Sequence, residues 1–185
     1  MMKLKPVLGI ALATAIITAA IPSFSQSASE DRVSFFCKAM FDSAAGSEIP
    51  ATIAWVPQRN QNVPIIYWKS AHFEEAGWDG QRRCEEVTPK FQTFLDNNRL
   101  NYLTHGKVGA YPVICAVGTQ NGETCNAENQ LFQLKREADG DDALKSLMDI
   151  LERRGGDAPP LYQSSGSQIY VPMNEFLLNA PAVED

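Results

Sequence analysis

Ala-Thr-Ile-Ala-Trp-Val at 51–56 and Val-Pro-Ile-Ile-Tyr-Trp-Lys at 63–69 bracket the polar stretch Pro-Gln-Arg-Asn-Gln-Asn at 57–62. β-Branched and aromatic side chains fit a pleated surface, and the Pro and Asn between them break it. Two such runs joined by a polar connection predict a β-hairpin with a long loop. Working outward, residues 33–40 form another apolar and aromatic run around Cys37. Strands are expected again at 101–107 and 111–117. Asn121-Gly122 is the strongest short turn signal in the chain, and Asn-Gln-Leu-Phe-Gln-Leu at 129–134 returns after it as a partner strand.

Between these strand blocks the period changes. Cys84, Val87, Phe91, Phe94 and Leu95 recur at helical spacing and share one face, with Arg82, Glu85, Glu86, Lys90 and Asp96 outward. Pro89 lies inside this pattern, and the unbroken register from Cys84 to Leu95 predicts one continuous, kinked helix starting near Asp79. A second helix begins at Asp141 or Asp142, buries Leu144, Leu147, Met148 and Leu151, and stops at Gly155-Gly156. The chain after residue 155 is rich in Pro, Ser, Gly and Asn, with apolar islands at 169–171 and 176–178. Those islands are too short to build a core of their own. They either lie back on the domain or serve as a linear motif for a partner.

The N-terminus predicts export. Lys3 and Lys5 precede an apolar run at 7–21, and the small residues of 22–28 offer Ser23/Ser25 or Ser25/Ser27 as a cleavage pair. That run is shorter than the ~20 residues a membrane-spanning helix needs, so cleavage of residues 1–27 is expected, with no transmembrane segment left after it. The four cysteines, Cys37, Cys84, Cys115 and Cys125, all follow the signal. In an oxidising compartment an even count at wide spacing predicts two disulfides, for which three connectivities exist. The chain has no Cys-x-x-Cys, the pattern that zinc or redox chemistry would need.

The full chain carries a net charge of −6, and removal of Lys3 and Lys5 leaves 14 basic against 22 acidic residues, or −8. Such a surface disfavours nucleic acid and gains nothing from an anionic bilayer, so membrane attachment would run through a protein. The histidines, His72 and His105, have Ser70 and Thr104 nearby in sequence, but no nucleophile elbow or comparable setting surrounds them. Glu74, Glu75 and Asp79 read as a solvated loop supporting the helix start. Trp55, Trp68 and Trp78 suggest a sugar platform, against which Trp55 and Trp68 fit better as core. No phosphate loop or metalloprotease motif occurs. The expectation is therefore no catalytic residue, no metal and no cofactor, with an exported hydrolase using His72 or His105 as the enzyme alternative.

An ordered set of features resembles a known family. It comprises Phe35-Phe-Cys37, Thr52-Ile-Ala-Trp55, Pro64-Ile-Ile-Tyr-Trp68, Gln81-Arg-Arg-Cys-Glu-Glu-Val87, Phe91-Gln92, Val113-Ile-Cys115, Cys125, Leu131-Phe-Gln-Leu134 and the following Leu-rich helix. Over roughly residues 34–151 the chain is similar to the cyanobacterial circadian-oscillating polypeptide family. The resemblance implies a signal-bearing protein peripheral to a membrane, in the periplasm or thylakoid lumen, and no catalytic residues carry over from it. The combined expectation is an α+β domain at 32–155, an antiparallel sheet of five or six strands packed by helices near 80–99 and 142–154. The Asn121-Gly122 hairpin would bring Cys115 to Cys125, leaving Cys37 for Cys84. Residues 156–185 form a C-terminal tail whose Ile169, Tyr170, Val171, Phe176, Leu177 and Leu178 are the expected contacts to an unidentified protein partner at a membrane surface. The rival class is a soluble inhibitor-like or stress protein whose tail packs on its own sheet.

Overall fold

The computed structural model describes residues 32–42, 45–69, 71–120, 122–136, 140–154 and 168–183. The expected signal at 1–27, Ser70, Asn121 and the Gly155-Gly156 stop lie outside the described residues.

The opening hairpin forms and gains a third strand on its N-terminal side. β1 (Ser34–Asp42), β2 (Ser47–Val56) and β3 (Gln61–Tyr67) make an antiparallel meander in the order β1-β2-β3. The 57–62 connection closes with a short 3-10 turn, Pro57–Arg59. The β2–β3 register slips between Thr52 and Ile53, where Pro64 faces Ile53. A proline has no N–H to give the ladder, and a bulge is one of the places a sheet tolerates it.

α1 (Gly80–Asp96) is one continuous helix with Pro89 inside it. Asp79 caps it, its carboxylate accepting from the Arg82 N–H at 2.8 Å. Cys84, Val87, Phe91 and Phe94 are buried as the helical period requires. The second sheet follows: β4 (Tyr102–Val108), β5 (Tyr111–Val117) and β6 (Gln130–Gln133), then α2 (Gly140–Arg154), β7 (Tyr170–Pro172) and α3 (Met173–Asn179). Its order is β6-β5-β4-β7, antiparallel throughout.

The architecture is α+β with antiparallel strands and two disulfides. In place of one sheet of five or six strands packed by two helices, the described residues form two sheets of three and four strands and three α-helices. β7 pairs with β4, setting Leu103 against Val171 and Thr104 against Tyr170. With β5 on its other side, β4 has no edge left for the first sheet. α1 touches β1, β2 and β6, so one core is shared: Val63, Ile65 and Trp68, then Leu103, Ile114 and Leu131, with Phe91 and Phe176 among them.

The disulfides are Cys37–Cys84 and Cys115–Cys125, with Cα separations of 5.7 and 5.6 Å. The first ties an edge strand to α1, and the second ties β5 to the loop before β6. Loop-closure entropy assigns them about 4 and about 3 kcal/mol respectively. The β5–β6 connection is a long loop rather than a two-residue turn, and Asn126 and Asn129 brace it. The Asn129 side chain accepts from the Asn126 N–H and donates to the Thr124 carbonyl.

Residues 168–183 pack on the domain, which is the first of the two expectations for the apolar islands. Val171, Met173 and Phe176 are at most 1% exposed. The Arg59 Nη1 donates to the Leu177 and Ala180 carbonyls, both at 2.8 Å, and the Val183 N–H donates to the Asn62 carbonyl at 2.9 Å. The short islands build no core alone, yet they suffice to complete one that other elements have begun.

A candidate binding cavity between α1 and β6

Trp68, the last aromatic of the hairpin, packs beneath a cavity among the described residues. Its indole N–H donates to Thr52 Oγ1 at 3.0 Å, and the Thr52 and Thr88 hydroxyls bond to each other at 2.8 Å. These buried polar groups satisfy one another and lock the ring between β2 and α1. Phe132 of β6 meets the same indole edge-on at 5.3 Å. Gly80 permits this arrangement, because a Cβ there would sit 2.4 Å from the Trp68 carbonyl oxygen.

The cavity that results holds about 330 Å³ and opens between α1, the 3-10 turn Ala71–Ala76 and β6. Val87, Leu131 and Phe132 give it apolar surface, with Phe73 and Trp78 beside them. Arg83, Glu86, Lys90, Gln130 and Gln133 supply the polar groups. The Arg83 guanidinium lies against both Trp68 (4.8 Å) and Phe73 (5.0 Å), a cation–π sandwich. Burial pushes that guanidinium below its ordinary pKa, although arginine stays charged at any ordinary pH. Lys90 Nζ donates to the Leu131 carbonyl at 3.0 Å, fixing the ammonium over the outer edge of the sheet. β6 is an edge strand, and a lysine on its carbonyl also discourages edge-to-edge pairing. Arg82 stacks on Trp78 at 4.3 Å, which holds that half-exposed indole at the mouth.

The other candidate residues are placed as follows. His105 on β4 meets Asp141 in the first turn of α2, Nε2 to Oδ1 at 2.6 Å. Thr104, its neighbour in sequence, is fully buried, and its hydroxyl donates to the Ile169 carbonyl at 2.7 Å. Adjacent strand residues point to opposite faces, so Thr104 is no nucleophile for His105. The His72 side chain lies outside the described residues. Glu74 and Glu75 sit exposed on the 3-10 turn, and Asp79 caps α1. Trp68 is core, Trp55 is half-buried on β2, and only Trp78 of the three lines the cavity, so no three-ring platform forms there. Among the described residues no group of three His, Cys, Asp or Glu side chains is arranged to hold a metal ion.

Five of the six expected partner contacts are buried or half-buried in the domain. Val171, Phe176 and Leu177 are core, and Ile169 and Tyr170 are half-buried, with the Tyr170 ring edge-on to Tyr102 at 6.3 Å. Leu178 alone is well exposed, at 43%. Hydrophobic side chains strung along a Pro- and Ser-rich segment look the same in sequence whether they meet a partner or their own sheet.

The cavity residues escaped the sequence reading because their elements are far apart in the chain. The legible trace was the spacing of Arg83, Glu86, Val87 and Lys90, which puts three charges and a valine on one stripe of α1.

No curated protein and no solved structure matches this chain. Residues 34–178 match the family model described as circadian oscillating protein COP23. That span begins with β1 and ends within α3, so it takes in both sheets, both disulfides and the cavity. The chain belongs to the circadian oscillating protein COP23 family.

Proposed function

We propose that this protein is an exported, non-enzymatic binding protein, held at a membrane surface in the periplasm or thylakoid lumen through contact with another protein. The α1–β6 cavity is its binding element. The observation that carries this reading is the cavity itself: an apolar floor with aromatic walls and two fixed cations, on a chain that is otherwise acidic. Such a combination of apolar surface and a few placed polar groups is the usual build of a recognition site. Two disulfides in a domain large enough to fold without them fit an oxidising compartment. Among the described residues no helix is long and apolar enough to cross a membrane.

A second reading, a freely soluble inhibitor-like or stress protein, is favoured by the packing of 169–178 into the domain. Fractionation of cells expressing the full chain separates the two. The membrane-bound reading predicts protein in the pellet that high salt releases and that no longer rebinds to protease-treated membranes. Protein found wholly in the soluble fraction overturns it. The hydrolase alternative predicts turnover that His105→Ala abolishes, measured against a panel of ester and glycoside substrates.

A further inference from the structure

Resting on the reading of the cavity as the binding element, we infer that it takes the C-terminal residue of a partner chain, with an apolar side chain inside and the α-carboxylate against Arg83 and Lys90. Three features of the lining lead there. The first is charge. Arg83 and Lys90 face Glu86, which leaves the lining with one net positive charge and suits a ligand carrying a single negative one. The Arg83 guanidinium lies at the cavity wall against the Trp68 and Phe73 rings, and a carboxylate beside a guanidinium makes a charge-assisted pair. The overall acidity of the chain does not cancel this local field, because charges beyond about 8 Å are screened at physiological salt.

The second feature is size. A volume of about 330 Å³ is at the lower end for ligand sites. It admits one large side chain with its backbone and little more. Val87, Leu131 and Phe132 form the apolar part of the wall that the side chain meets. The third is the pair of carboxamides. Gln130 and Gln133 line the same cavity, and each offers both a donor and an acceptor, which is what the last peptide group of a chain needs. A free hydrocarbon acid would use the cations and the floor but would leave the two amides without work. Lys90 on the Leu131 carbonyl occupies the edge of β6, so the partner binds by its end and not by adding a strand.

The experiment uses the mature oxidised chain and fluorescein-labelled Ala-Gly-Ser-Leu-Phe, made with a free carboxylate and as the C-terminal amide, read by anisotropy. The free carboxylate should bind and the amide should bind at least about tenfold more weakly. Glu86→Lys should tighten the free peptide several-fold, and Lys90→Glu should weaken it by about tenfold or more; both positions are exposed, so the fold tolerates the changes. 3-Phenylpropionate, which keeps the ring and the carboxylate but has no peptide group, serves as the small-acid probe and should compete only weakly. Equal binding of acid and amide, no binding up to about 1 mM, or small-acid affinity matching the peptide overturns the inference. A loss in Lys90→Glu without a gain in Glu86→Lys also overturns it. Because binding is measured on purified protein and membrane attachment in cells, a failed peptide leaves the membrane reading standing, and wholly soluble protein leaves the peptide result standing.

Discussion

Phe176→Ala is the sharpest test of where the C-terminal segment belongs. Phe176 is fully buried, with Met173 and Ala180 of the same turn region also at or below 1% exposure. Removing the ring gives up about 150 Å² of buried apolar surface, worth about 4 kcal/mol at 25 cal/mol per Å². The surroundings are braced by the two Arg59 hydrogen bonds and cannot simply collapse into the gap, so a cavity term adds to the loss. The expected cost is about 3–5 kcal/mol. For a domain of this size that lowers Tm by about 8–15 °C in calorimetry of the mature chain. Leu178→Ala, on the same helix but 43% exposed, should cost less than about 1 kcal/mol. A Phe176→Ala change in Tm under about 2 °C, or equal damage from the two variants, refutes the placement of α3 in the core.

Three further outcomes follow from the same structure. Replacing Cys37 and Cys84 together by Ala should cost about 4 kcal/mol and replacing Cys115 and Cys125 about 3, while non-reducing peptide mapping recovers only these two pairs. Gly80→Ala forces a methyl to within 2.4 Å of the Trp68 carbonyl; α1 must shift, with a loss of about 1–3 kcal/mol and a change in tryptophan emission. Arg59→Ala removes both hydrogen bonds to the end of α3, costing about 1–3 kcal/mol, and hydrogen exchange should rise at 177–183 more than in β5.

The elements carried by local pattern were legible. The 51–69 hairpin, the helical stripe of 84–95 and its Asp79 cap, and the Leu-rich helix from Asp141 all follow from periodicity and turn chemistry that act over a few residues. The cysteine pairing was legible because the chain reverses between Cys115 and Cys125, even though the reversal is a long braced loop and not the tight turn that Asn121-Gly122 suggested. What the pattern did not carry was the partner of each edge. β7 is three residues long, and its claim on β4 rests on contacts across more than sixty residues of chain, such as Gln168 Nε2 donating to the Thr104 hydroxyl and the His105 carbonyl. That pairing adds a fourth strand to the second sheet and places Val171 and Phe176 in the core. The cavity was hidden for the same reason. Glu86 and Lys90 read as a solvated helix face until β6 and the 71–76 turn are set against them.

The measurement that bears most directly on the account is fractionation of cells expressing the full chain beside its Lys90→Glu variant. Attachment through the cavity predicts the wild type in the membrane pellet, released by salt, and the variant folded but in the soluble fraction, its Tm lowered by no more than the loss of the single Lys90–Leu131 hydrogen bond, about 1 kcal/mol, accounts for. Wild type and variant wholly soluble, or both held equally by the membrane, would contradict it.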